Sequence, residues 1–303
     1  MKARYLSLKP LIVWRPQSTD WAQIFGRSAP VHLEIGFGHG ENLVKQAATH
    51  PQIDFVGIEM DWECVARALR RVAQTGLSNV RVCLGDARSI LTYRFDSSSL
   101  DAIVSLFPCP WPKERHAKHR LFDAPFLKLM QNRLKNGREA TIVTDSEEYA
   151  DWIMEQAVAC TIQASVKTTS AGYDTKYERK WLSEGARHFY KITIPSAQTE
   201  AVRREIALQG HTIHRFDPAR FTPIDQTGSI AVLFKETLYD PAREKAMIRT
   251  VVIEDDVQQH VWIEIVRRDD GWRIRPSQGT GFMPTVGMQR ALDLLKEAAE
   301  RQF

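Results

Sequence analysis

Cysteine is scarce in this chain. Four residues, Cys64, Cys83, Cys109 and Cys160, are scattered over 303 positions with no C-x-x-C pair. That spacing excludes a disulfide framework and a zinc ribbon, and it fits a reducing cytosol. No metal-ligand spacing replaces them. Long apolar runs are also missing: no stretch of about 18 residues could cross a bilayer, so no membrane span is expected. The opening M-K-A-R-Y-L-S-L-K-P has no signal-peptide core, which again points to the cytoplasm. Charge of one sign does not dominate: the net charge is +4, too small to mark a polyelectrolyte binder by itself. It is uneven, however. Residues 1–195 hold 26 Lys and Arg against 21 Asp and Glu, and residues 196–303 hold 15 against 16. The basic excess of the N-terminal part permits a polyanionic partner.

What is present is 43% hydrophobic and 26% charged, the composition of a globular chain long enough for one large domain and a smaller one. The pattern is organised around V-H-L-E-I-G-F-G-H-G-E, Val31 to Glu41. Val31, Leu33 and Ile35 alternate as a short buried strand, Gly36, Gly38 and Gly40 turn the backbone, and N-L-V-K-Q-A-A continues as a helix. A dinucleotide fingerprint would need glycine at position 41, where this chain has Glu. Asp54 to Glu59 and Val80 to Leu84 predict two further strands, with Asp61 capping a helix between them that Gly76 ends. Glu34, Glu59 and Asp86 therefore stand at three strand ends. In an open α/β sheet this is where a ligand binds: Glu59 can accept from ribose hydroxyls and Asp86 from an adenine amino group.

A fourth strand, Leu100 to Phe107, runs into Pro108-Cys109-Pro110-Trp111-Pro112 and then K-E-R-H-A-K-H-R. Three prolines make an extended rim with few backbone donors. Lys113, Arg115 and Lys118 beside Trp111 suit a phosphate backbone with an exposed base. The helix Phe122–Leu134, the strand Ala140–Val143 ending at Thr144-Asp145, the helix Glu147–Ala159 and a late strand over Arg187–Ile194 complete the first part. Residues 1–30 are read as an arm leading into the first strand. In the tail, strands are predicted over Thr250–Glu254, His260–Arg267 and Trp272–Arg275, with a helix over Ala291–Arg301.

Together, E-I-G-F-G-x-G, the F-P-x-P-W-x-K-x-R-H-x-K-x-R run of Phe107–Arg120, Thr144-Asp145 and T-K-Y-E at Thr175–Glu178 resemble the tRNA (guanine-N7)-methyltransferase family over residues 25–195. The resemblance implies a Rossmann-like S-adenosylmethionine-dependent methyltransferase fold, an α/β domain over residues 1–195; residues 196–303 lie outside it, and their own strand and helix patterns read as a small α+β extension. It implies methylation of guanine 46 in tRNA, with cofactor contacts at Glu34, the Gly36–Gly40 turn, Glu59, Asp86 and Cys109. It implies tRNA contacts at Lys113, Asp145, Thr175, Lys176, Tyr177 and Glu178, to which the basic run itself adds Arg115 and Lys118. One position departs from the family: F-P-D-P-W is its pattern, and Cys109 stands where its active-site Asp does. Two other readings keep the same residues. One is a paralogue that holds tRNA or cofactor without turnover. The other is a pyrimidine methyltransferase in which Cys109 adds to the ring as a thiolate.

Overall fold

The computed structural model describes residues 6–12, 19–113, 115, 119–170, 172, 178–179, 183, 188–197, 206–254, 257–278 and 282–303. They fall in two compact units, the first holding those up to 197 and the second those from 206 onward.

In the first unit the elements run β1 (Leu11–Ile12), α1 (Trp21–Phe25), β2 (Val31–Ile35), α2 (Glu41–Thr49), β3 (Asp54–Glu59), α3 (Trp62–Thr75), β4 (Val80–Leu84), α4 (Ala87–Arg94), β5 (Ala102–Leu106), α5 (Ala124–Arg133), β6 (Glu139–Thr144), α6 (Glu147–Ala159), β7 (Ser165–Thr169) and β8 (Phe189–Pro195). The strands form one eight-stranded sheet in the order β1-β4-β3-β2-β5-β6-β8-β7. All neighbours from β1 to β6 are parallel, and β8 runs antiparallel to both β6 and β7. This is a Rossmann-like α/β architecture, built as parallel sheets must be: apolar strands joined by helical crossovers.

The order also locates the crevice. From β2 the chain builds outward through β3 to β4, then returns to place β5 on the other side of β2. The crossovers on either side of β2 therefore leave in opposite directions, and a cleft opens at the carboxyl ends of β2 and β5. Burial follows the pattern: Leu33, Ile35, Val56, Ile58 and Ile103 are all at most 2% exposed. The helix ends are capped as their residues dictate. Asp61, Asp86 and Asp123 accept from the backbone N–H groups of Cys64, Ser89 and Phe126.

The arm is corrected in part, since Leu11 and Ile12 form a strand that pairs in parallel with Val82 and Cys83 on β4. Three further elements of this unit were not predicted: α1, which also falls within the arm, α4 and β7.

The second unit contains β9 (His211–Ile213), β10 (Ile230–Asp240), β11 (Lys245–Glu254), β12 (Val257–Arg268), β13 (Gly271–Pro276) and α7 (Val286–Glu300). Its sheet is antiparallel, in the order β10-β11-β12-β13-β9. Alternate residues of β12, Val261, Ile263 and Ile265, join Met288, Leu292 and Leu295 of α7 in one apolar core. It is the α+β extension expected, with β9 and β10 added. No described helix is long and apolar enough to cross a membrane.

Candidate active site

The turn after β2 is the floor of the site. Gly36, Gly38 and Gly40 all hold left-handed backbone, at φ 70°, 54° and 74°. A side chain is excluded at Gly40 for a second reason: a Cβ there would lie 2.7 Å from the Cβ of Ala68 on α3. The turn is tied to its neighbour strand, with the Gly36 N–H donating to the Ile58 carbonyl at 2.8 Å. Gly40 is the N-cap of α2, which begins one residue earlier than expected, at Glu41.

Around this turn lies a cavity of about 390 Å³, lined by Glu34, Gly36, Phe37, Gly38, His39, Glu41, Asn42, Glu59, Asp61, Cys64, Leu106, Phe107, Pro108 and Cys109. Its walls come from the ends of β2, β3 and β5, the cleft that the strand order dictates.

The acids have distinct environments. Glu34 is buried, and its Oε2 accepts from the Asn42 Nδ2 at 2.9 Å. Burial raises its pKa to about 7, a shift that the Asn42 hydrogen bond opposes. Glu59 clasps the turn: Oε2 accepts from the Gly38 N–H at 2.9 Å, and Oε1 from the N–H groups of Met60 at 2.8 Å and Asp61 at 3.2 Å. A carboxylate held in this way is already oriented, and its remaining lone pairs can accept from vicinal hydroxyls. Asp86 does not line the cavity. It caps α4, accepting from the Ser89 N–H at 3.0 Å through Oδ1.

Cys109 is exposed on the rim and lines the cavity. The rim is anchored at its start, where the Phe107 N–H donates to the Val143 carbonyl at 2.7 Å. Phe107 and Trp111 both carry positive φ, 54° and 45°, uncommon for bulky side chains. Lys113 and Arg115 are exposed beyond it. Asp145, half-buried, follows β6, one strand further from the cleft. Glu178 is buried and accepts from the Gly172 N–H at 2.6 Å, so its carboxylate also holds its own segment. Lys118, Thr175, Lys176 and Tyr177 lie outside the described residues.

The structure therefore brings Glu34, Gly36, Gly38, Glu59 and Cys109 to one cavity, while Gly40 and Asp86 are not part of its lining. Asn42, His39, Glu41, Asp61 and Cys64 were missed as cavity residues. Asn42 follows Glu34 by eight positions, and only the turn between them brings the two together.

A mostly parallel sheet with a cleft at its switch point defines a class, and a protein-family profile described as "Putative methyltransferase" matches residues 28–191, over half the chain. Curated relatives narrow it. The tRNA (guanine-N7)-methyltransferase of Chlorobium phaeobacteroides is 36% identical over 179 residues, which cover 59% of this chain and 88% of that protein. That of Yersinia enterocolitica is 42% identical over 144 residues, 48% of this chain and 60% of the relative. That of Thermotoga maritima is 28% identical over 293 residues and covers 93% of each. The chain belongs to the tRNA (guanine-N7)-methyltransferase family. The Thermotoga alignment is long enough to include most of the second unit, so that unit is not peculiar to this chain.

Proposed function

We propose that this chain transfers the methyl group of S-adenosylmethionine to N7 of a guanine in tRNA, at position 46, in the cytoplasm. The observation that carries this reading is the cavity at the β2/β5 switch point, floored by the glycine turn and walled by Glu34, Glu59 and Cys109, in a chain of this family. When bound, the cofactor supplies an electrophilic methyl on a sulfonium. Glu59 is positioned to accept from the ribose hydroxyls, and the buried Glu34 to face a cationic part of the cofactor. Asp86 has its Oδ1 committed to the helix cap and would offer Oδ2 to the adenine amino group.

Guanine N7 carries a lone pair. The N7–CH₃ bond forms as the C–S bond breaks, the ring gains the positive charge that the sulfonium loses, and no proton has to be removed first. The protein's task is then mainly alignment, which can supply several kcal/mol of a barrier. Methyl transfer is assigned to residues 1–195, with 196–303 as an appended unit. Asp145 and Glu178, with Thr175, Lys176 and Tyr177, are proposed for the tRNA side.

The test is direct. Purified protein is incubated with tRNA and isotopically labelled methyl donor, and the tRNA is digested and its nucleosides analysed by mass spectrometry. Label in 7-methylguanosine, mapped to position 46 by cleavage at the modified base, is expected. Label in a pyrimidine, or none, would overturn the reading.

The exposed Lys113 and Arg115 are proposed, with Lys118, to meet the phosphate backbone. Replacing Lys113 and Arg115 by Ala should weaken tRNA binding and reduce the slope of log K against log salt by about one to two. An unchanged slope would leave both as ordinary solvated side chains.

A further inference from the structure

Arg120 closes the same basic run as Lys113 and Arg115, yet its surroundings are the opposite of theirs. Its side chain is only 7% exposed. Nε donates to the Pro110 carbonyl at 3.0 Å, and Nη2 to the Trp111 carbonyl at 3.4 Å and to Glu148 Oε1 at 3.1 Å. The guanidinium carbon lies 5.1 Å from the ring centroid of Trp152 and 5.7 Å from that of Tyr149, two rings of α6 that stack at 5.8 Å. The backbone at Arg120 is held from the other side. Arg88 on α4 donates to the Arg120 carbonyl at 3.2 Å and the Leu121 carbonyl at 2.9 Å, while pairing with Asp123 at 2.8 Å.

The rim has need of such a hold. Pro108, Pro110 and Pro112 have no N–H with which to bond back to the fold. Phe107 and Trp111 sit in left-handed backbone, which persists only where the surroundings impose it. A guanidinium is the one side chain that can reach two successive rim carbonyls while stacking on aromatic rings. Its ion pair with Glu148 matters less, since Glu148 is 70% exposed.

We infer that Arg120 is a positioning residue: it pins the Pro110 and Trp111 carbonyls to α6 and so fixes where Cys109 stands over the cofactor cavity, rather than binding phosphate. The inference rests on the methyl transfer proposed above, because a displacement of about 1 Å at the reacting centre can cost on the order of a hundredfold in rate.

The experiment compares Arg120→Met, Arg120→Lys and Glu148→Gln. Arg120→Met is expected to lower kcat for tRNA methylation at least fivefold, with the KM for tRNA and the calorimetric affinity for S-adenosylmethionine within twofold of wild type. Lys, which can bond one carbonyl but cannot fork, should recover part of the loss, and Glu148→Gln should remain within twofold of wild type. Rim order is read separately by the rate at which iodoacetamide alkylates Cys109, followed by peptide mass spectrometry. That rate should rise several-fold in Arg120→Met while the rate at Cys64 stays constant. An unchanged alkylation rate and kcat, or a raised KM for tRNA with a shallower salt slope, would overturn the inference, the latter in favour of a phosphate contact. Should Arg120→Met not fold, Arg120→Lys carries the same comparison with a smaller change expected. A wild type that methylates no tRNA would refute the proposed function, and the alkylation comparison would still decide whether Arg120 holds the rim.

Discussion

Cys109→Asp is expected to raise the turnover of tRNA methylation tenfold or more. By the motif resemblance Cys109 takes the place of an Asp, and it is exposed on a rim that lines the cavity proposed for the cofactor, so a carboxylate there meets no burial cost. A thiol is a weak hydrogen-bonding group. A carboxylate could accept from the N1–H and N2–H₂ edge of guanine and stabilise the positive charge that grows as N7 is alkylated. A charged hydrogen bond contributes about 1.5–3 kcal/mol, which corresponds to one or two decades in rate. The measurement is steady-state methylation with the wild type, Cys109→Asp and Cys109→Ser. If Cys109 were instead a covalent nucleophile, Asp would abolish activity and Ser nearly so. A Cys109→Asp protein no faster than wild type would show that the site works without an acceptor at this position.

The second large effect concerns Glu34. Replacement by Gln should weaken S-adenosylmethionine binding by about a hundredfold, because the cationic part of the cofactor would lose a buried counter-charge. Wild-type affinity should also depend on pH in a definite direction. Burial has moved Glu34 from its ordinary 4.5 up to about 7, so the ligand-free protein carries it largely protonated at pH 6 and ionised at pH 8. A cationic ligand selects the ionised form, so affinity should rise from pH 6 to 8 and level off above. Glu34→Gln should flatten that profile.

Stability runs the other way. The native state holds this proton more tightly than the unfolded chain does, so Glu34 makes the ligand-free fold lose stability as pH rises from about 4.5 to about 7. At pH 8, then, the ligand-free Gln variant should be the more stable protein, by an amount on the order of 2–3 kcal/mol. Calorimetric titration across pH, with thermal unfolding alongside, tests both halves. An affinity within threefold of wild type would remove Glu34 from the cofactor's contacts.

The contrast between Glu34 and Asp86 shows what was legible beforehand. All three strand-end acids could be found from apolar alternation followed by a turn. That Asp86 would cap a helix was not read: A-R-S-I-L-T-Y-R is only eight residues long, and its buried side includes the small Ala87 and the charged Arg94 beside Ile90, Leu91 and Tyr93. Strand β7, S-V-K-T-T, is almost wholly exposed and has no buried alternation to read. Strand β10, I-A-V-L-F-K-E-T-L-Y-D, runs from a continuous apolar half into a largely exposed one without alternation, and its pairing register shifts between Phe234 and Glu236.

The site divides in the same way. Gly36, Gly38, Glu59 and Cys109 are local features of strand ends, and they reach the cavity by topology alone. Arg120 looked like one more cation in K-E-R-H-A-K-H-R, since its burial is decided by Tyr149 and Trp152 about thirty residues later.

The two-residue strand β1 has a consequence beyond its size. Without it, β4 would be the free border of a parallel sheet, and Val82 and Cys83 would offer open backbone groups to any extended chain. Leu11 and Ile12 occupy those groups. The opposite border ends in β7, short, exposed and bearing Lys167, features that discourage further strand addition. Both borders of the sheet are therefore very short strands, two residues at one and five at the other, which gives little length for a further strand to pair along.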